Sequence, residues 1–142
     1  MREALRLARL SAEAGEVPVG AVVVWKGEII GRGWNAPIAR NDPTAHAEIL
    51  ALREAAERVA NYRLESATLY CTLEPCVMCA GALVAARIRR LVFGGRDLRF
   101  GGVRSKFRVA DSELLNHQVE VAEGLLAVEC VRLLQGFFEE RR

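Results

Sequence analysis

No apolar run in this sequence approaches the roughly 18 to 20 residues that a membrane-crossing helix requires, so no membrane partner is expected. The first stretch, MREALRLARLSAEAGE, carries a charge every few residues and offers no apolar core of the signal-peptide kind. Internal repeats, low-complexity tracts and long linkers are also missing, which argues for a single domain over residues 1–142. Cysteine is scarce. The four, at positions 71, 76, 79 and 130, do not make a secreted disulfide framework. A reducing cytoplasm is the expected compartment, where a CxxC pair is more often a metal or redox site. Net charge is small, +2, but its distribution is uneven. Arg87, Arg89, Arg90, Arg96, Arg99, Arg104, Lys106 and Arg108 face only Asp97 within one window, which fits either a polyanionic partner or a solvated basic face.

What is present is an ordinary globular composition, 51% hydrophobic and 27% charged, in a chain long enough to bury a substantial core. Residues 2–14 pattern as an amphipathic helix ended by Gly15. The β-branched run VGAVVVWK (19–26), a turn at Gly27 and EIIGRGWN (28–35) read as a hairpin. After the loop PIARNDP comes a helix over 44–61, then a strand at 67–73, a short small-residue helix at 76–87 and a strand at 89–95. A Gly-rich basic loop, a strand at 119–122 and a helix over 124–140 follow. Strands alternating with helices after a hairpin imply an α/β domain with a five-stranded mixed sheet covered on both faces.

EPCVMC, residues 74–79, is ambiguous alone: half a zinc site, a redox pair or two core thiols. The segment TAHAE, residues 44–48, narrows the choice by adding His46 and Glu48. A helix over 44–61 runs about 27 Å out, and the strand over 67–73 runs roughly 23 Å back. His46 should therefore end beside Cys76 and Cys79. Asp42-Pro43 and Pro75 look like helix-start pairs, which would place all three donors in first turns, where the helix dipole favours thiolates. Cys76 and Cys79, at i and i+3, can close on one ion with His46. Three protein ligands leave a fourth position open, the pattern of a catalytic zinc, and Glu48 is a nearby carboxylate suited to moving protons.

Taken singly, His46 fits a core or capping histidine, and Glu48 fits a carboxylate favoured by the helix dipole. Cys71 and Cys130 read as small buried hydrophobes. His117 reads as structural, with a fourth-ligand role left open. The combination of HxE with PCxxC at helix starts that should meet is much harder to obtain by chance.

His46-Ala47-Glu48 with Pro75-Cys76-Val77-Met78-Cys79 matches the known signature of zinc nucleobase deaminases. Together with PVGAVVV, GRGWN, NDPTAHAEILALREAA, ATLYCTLEPCVMCAGALVAARI, LVFGGRD, LNHQVEV and ECVRLLQGFF, the chain resembles the bacterial tRNA adenosine deaminases over essentially its whole length. That resemblance implies a three-layer α/β/α cytidine-deaminase-like fold, a homodimer, and hydrolytic deamination of the wobble adenosine of a tRNA anticodon loop to inosine. It assigns one Zn2+ per subunit to His46, Cys76 and Cys79, and proton transfer to Glu48. Asn35 and Asp97 match substrate-binding positions, though both also suit turns. Arg104, Lys106, Arg141 and Arg142 are candidate phosphate contacts or plain surface charges. The loop after GRD lacks the Gly-Ala-x-Gly-Ser wording of some relatives and is more basic. Two alternatives remain open on the residues: a deaminase of free nucleobases, nucleosides or cytidine nucleotides, and a zinc-stabilised RNA-binding domain.

Overall fold

A computed structural model describes all residues 1–142. In chain order the elements are α1 (Arg2–Glu13), β1 (Gly20–Trp25), β2 (Glu28–Trp34), α2 (Pro37–Arg40), α3 (Ala47–Val59) and β3 (Thr68–Leu73). They continue with α4 (Val77–Ala85), β4 (Arg90–Gly95), β5 (Glu120–Glu123) and α5 (Ala127–Glu139). The sheet runs β2-β1-β3-β4-β5, with β1 antiparallel to both neighbours and β3, β4 and β5 parallel. Helices α1 and α5 cover one face, and α3 and α4 the other. The expected five-stranded mixed sheet in an α/β arrangement is what forms. No helix is long and apolar enough to cross a membrane.

The hairpin turns on Lys26 and Gly27, both at positive φ (51° and 76°), the two-residue geometry that matches strand twist. Side chains then alternate across the sheet. Ala21, Cys71 and Phe93 form one row in register and Val23, Leu69 and Leu91 the next, all buried towards α3 and α4. Gly31 and Gly33 share that face of β2, and there the helix backbone comes very close. A Cβ on Gly33 would stand 2.2 Å from the carbonyl oxygen of Ala47 in the first turn of α3. Gly33→Ala must push back the helix that begins beside His46, and overpacking of this kind costs about 1–3 kcal/mol. We expect calorimetry to show Tm lower by about 5–10 °C. Gly136→Ala in α5, where a Cβ meets nothing within 4 Å, should leave Tm unchanged or raise it slightly.

Several boundaries differ from the sequence reading for identifiable reasons. Helix α3 starts at Ala47 with His46 as N-cap, not at Thr44 behind an Asp42-Pro43 cap. The Asp42 carboxylate instead accepts the Thr44 N–H (2.8 Å) and hydroxyl (2.7 Å), a local turn that competes with helix initiation. Pro37–Arg40 forms one unanticipated helical turn. Pro75 is not the first residue of α4. Cys76 is its N-cap, in extended conformation, because Cys76 bridges to Gly101 and the Pro75 carbonyl accepts the Gly102 N–H. Helix α5 begins at Ala127 rather than 124, delayed by left-handed backbone at Gly124 and Leu126.

Candidate metal centre and active site

The outbound helix and returning strand bring the expected residues together. His46 Nδ1 lies 3.6 Å from Cys76 Sγ and 3.5 Å from Cys79 Sγ. The three donor atoms all lie within 4.8 Å of one another and form a group suited to a metal ion. Two helix starts supply it: His46 and Cys76 are the N-caps of α3 and α4, and Cys79 is one turn further along α4. The Cys76 thiol is drawn down to about 4, first by the hydrogen bond from Cys79 and then, against its burial, by His46. The same Cys76–Cys79 hydrogen bond and burial push the Cys79 thiol up.

Asn35 fixes the start of α3. Its Oδ1 accepts the Ala47 N–H (3.0 Å), while its own carbonyl accepts the Ser11 hydroxyl (2.8 Å). Glu48, on the first turn of α3, is only 4% exposed. Burial raises its carboxyl above the ordinary value, partly offset by its own backbone N–H, by His46 and by the Cys79 thiol. A buried carboxyl beside the donor group, held by few polar partners, is chemically equipped to take up and release a proton.

The remaining expected residues divide. Asp97 Oδ1 accepts the N–H groups of Arg99 and Phe100, forming a turn. The Arg104 guanidinium is committed to Asp111 through two bonds of 3.1 Å and to the Val103 carbonyl. Its charge is therefore matched by Asp111. Lys106 is exposed. Arg141 stacks 3.5 Å above the Phe137 ring, and Arg142 is exposed at the end of the chain. His117 is absent from the donor group: its Nε2–H donates to the Ile88 carbonyl at 2.7 Å, at the other end of β4, which leaves the structural reading. Cys71 and Cys130 are buried and also stand outside the group. A cleft of about 420 Å³ between Trp25, Ile30, Val59 and Leu64 opens at the opposite end of the sheet and contains none of the donors.

Two buried carboxylates escaped the sequence reading. Glu16 accepts the N–H groups of Ile38 and Ala39, anchoring the segment that leads into His46. Glu74, 2% exposed, accepts the N–H groups of Asp97, Val103, Arg104 and Ser105 and the Ser105 hydroxyl. Burial alone would raise its carboxyl, but the Ser105 hydroxyl and the three backbone donors from Arg104, Ser105 and Asp97 hold it below the ordinary value. A carboxylate closing an apolar strand was the available signal, because such a group must find donors.

The family described as MafB19-like deaminase matches residues 1–142. The chain is 53% identical over 143 residues to the tRNA-specific adenosine deaminase of Haemophilus influenzae, covering 100% of this chain and 83% of that one. It is 46% identical over 142 residues to the tRNA-specific adenosine deaminase of Bacillus subtilis, covering 100% and 88%. A solved tRNA deaminase that edits adenosine to inosine at the wobble position superposes with a TM-score of 0.91 at 45% identity, over 94% of this chain and 97% of that one. The guanine deaminase of Nitrosomonas europaea follows with a TM-score of 0.83 at 28% identity, over 96% and 81%.

Proposed function

The chain belongs to the MafB19-like deaminase family, and on that premise we propose that it converts adenosine to inosine at the wobble position of a tRNA anticodon, releasing ammonia. The observation that carries this choice of substrate is the whole-chain likeness to wobble-editing tRNA deaminases, at 45% identity and a TM-score of 0.91. The enzyme acting on a free base stands further off, at 28% and 0.83.

His46, Cys76 and Cys79 would hold one zinc ion per chain. Tetrahedral zinc at its usual bond lengths keeps nitrogen and sulfur about 3.5–3.6 Å apart, and the separations here are 3.5 and 3.6 Å, so the donor set fits. When bound, such an ion supplies the Lewis acidity that brings water within reach of a base at neutral pH. Glu48 then accepts a proton from the attacking water on a carboxylate oxygen and delivers it to N1 of the adenine ring. The emptied carboxylate then takes the remaining proton from the new C6 hydroxyl and passes it to the amino group as the C6–N bond breaks, so that adenosine and water give inosine and ammonia. Asn35 spends its side-chain oxygen on Ala47, which leaves its NH2 group to donate to the bound nucleotide. Asp97 spends one carboxylate oxygen on its turn and keeps the other to accept a hydrogen bond from the bound nucleotide.

An anticodon loop is already single-stranded, so extruding its base costs at the low end of a few kcal/mol. Exposed Lys106 and Arg142, with Arg141, supply charge for its phosphates. A homodimer and a cytoplasmic location complete the reading. An apolar cleft between α3 and α4, lined by Ile49, Tyr62, Ala82 and Ala85, supports close packing of a second copy. The test is to incubate the protein with tRNA bearing a wobble adenosine and, separately, with free guanine and cytidine. Inosine mapped to the wobble position is the expected result. Turnover of a free base or nucleoside with none on the tRNA would overturn the proposal.

A further inference from the structure

Glu74 is not one of the metal donors, yet no other side chain in the molecule accepts as many hydrogen bonds. Four backbone N–H groups and one hydroxyl, all from residues 97–105, converge on it. It opens the two-residue link between β3 and Cys76, so the loop is tied to the chain two residues before a metal donor. The packing around it is equally close. A Cβ on Gly101 would stand 2.3 Å from the Glu74 carboxylate, and one on Gly102 would stand 2.7 Å from the backbone of Val77. The Gly102 N–H also donates to the Pro75 carbonyl at 2.8 Å. The loop therefore lies directly on the start of α4, with its backbone folded around one buried carboxylate.

This arrangement determines what the loop displays. Arg104 is drawn back onto Asp111, whereas Leu98, Phe100 and Phe107 stand 72%, 62% and 60% exposed among exposed Arg99, Lys106 and Arg108. Alternating cations and bare aromatic rings suit an unpaired nucleic-acid strand, whose phosphates and base faces they can meet together. A soluble surface gains nothing from three bare apolar side chains on one short loop.

We infer that Glu74 is a positioning residue, holding the rim of residues 97–108 at a fixed offset from Cys76 and Cys79 so that an RNA strand engages the rim and the metal group at once. The inference rests on the RNA-substrate reading above. It separates two functions: the metal group and Glu48, at the starts of α3 and α4, do the chemistry, and Glu74 governs how well the RNA is held.

The experiment compares wild type with Glu74→Gln and Glu74→Asp on an anticodon stem-loop RNA, reading kcat and KM, RNA affinity by fluorescence anisotropy, metal content and amide exchange. Gln keeps the shape but turns an NH2 towards N–H donors. KM and Kd should rise about tenfold or more, with kcat changed by less than about threefold and metal content unchanged. Exchange should quicken in residues 97–105 and not in β1 or β3. Glu74→Asp, which keeps the charge, should recover part of the affinity. If Glu74→Gln does not fold, Ser105→Ala removes one donor and should show the same split at smaller amplitude. Unchanged RNA affinity, or a loss confined to kcat, overturns the inference. Wild type that binds the RNA but never deaminates it sinks the functional proposal alone. Wild type that does not bind it overturns both.

Discussion

Glu48→Gln should keep the fold and the metal while turnover falls by about 10³-fold or more. General acid–base catalysis contributes roughly 10²–10⁴ to a rate, and Glu48 is asked to act twice, first on the attacking water and then on the leaving amine. The amide can neither accept nor carry the proton, and at 4% exposure there is little room for solvent to replace it. The sign of the stability effect separates this role from a structural one. Burial raises the Glu48 carboxyl, which means that the fold disfavours its ionised form. In the metal-free protein a raised carboxyl pKa makes the ionised group a net cost to the fold above that pKa, so with the metal chelated a neutral isostere should leave Tm equal or higher. Single-turnover rates, metal content and calorimetry on the one variant read all three quantities. A variant that is slow because it is unstable would show a lower Tm, and an active variant would remove Glu48 from the mechanism.

Cys79→Ala should be the most damaging substitution at the metal group. It removes one of three donors from a buried position, leaving His46 and Cys76 to hold an ion with two. Chelation of the wild type should abolish activity and lower Tm, and added zinc should restore both, because a ligand bound only to the native state stabilises by about 4 kcal/mol at a thousand times its Kd. In Cys79→Ala the zinc-dependent change in Tm should vanish along with activity. Cys71→Ala is the contrasting case. Cys71 is fully buried in the sheet row between Ala21 and Phe93 and stands outside the donor group. It should lose about 1 kcal/mol through the small cavity and keep its full zinc content and zinc-dependent Tm.

The parts of the molecule legible in the sequence are those set by local pattern. The strand alternation of β1 and β3, the hairpin at Lys26-Gly27 and the spacing within HxE and within PCxxC all depend on residues a few positions apart. The chain's reversal between α3 and β3 follows from their lengths. Some misses were set by partners far along the chain. Helix α4 starts at Val77 because the Pro75 carbonyl and Cys76 are occupied by Gly102 and Gly101. Glu74 finds its donors 23 to 31 residues away. Arg104 looks like a free cation in a basic window, but Asp111, seven residues on, neutralises it. No periodicity encodes those contacts. Other misses were local: the Asp42 side chain bonds its own neighbour instead of capping the helix, Pro37–Arg40 makes one helical turn, and left-handed backbone at Gly124 and Leu126 delays α5. In the metal group, by contrast, each donor sits at a helix start that the sequence pattern also marks to within three residues.

The most direct test is to run the reaction in water labelled with heavy oxygen, on tRNA carrying a wobble adenosine, and to determine the mass of the nucleoside at that position. Hydrolytic deamination by Glu48 and the metal group predicts inosine at the wobble position carrying the label on C6, with none formed by Glu48→Gln. Unlabelled inosine, or labelled inosine formed as readily by Glu48→Gln as by wild type, would contradict it.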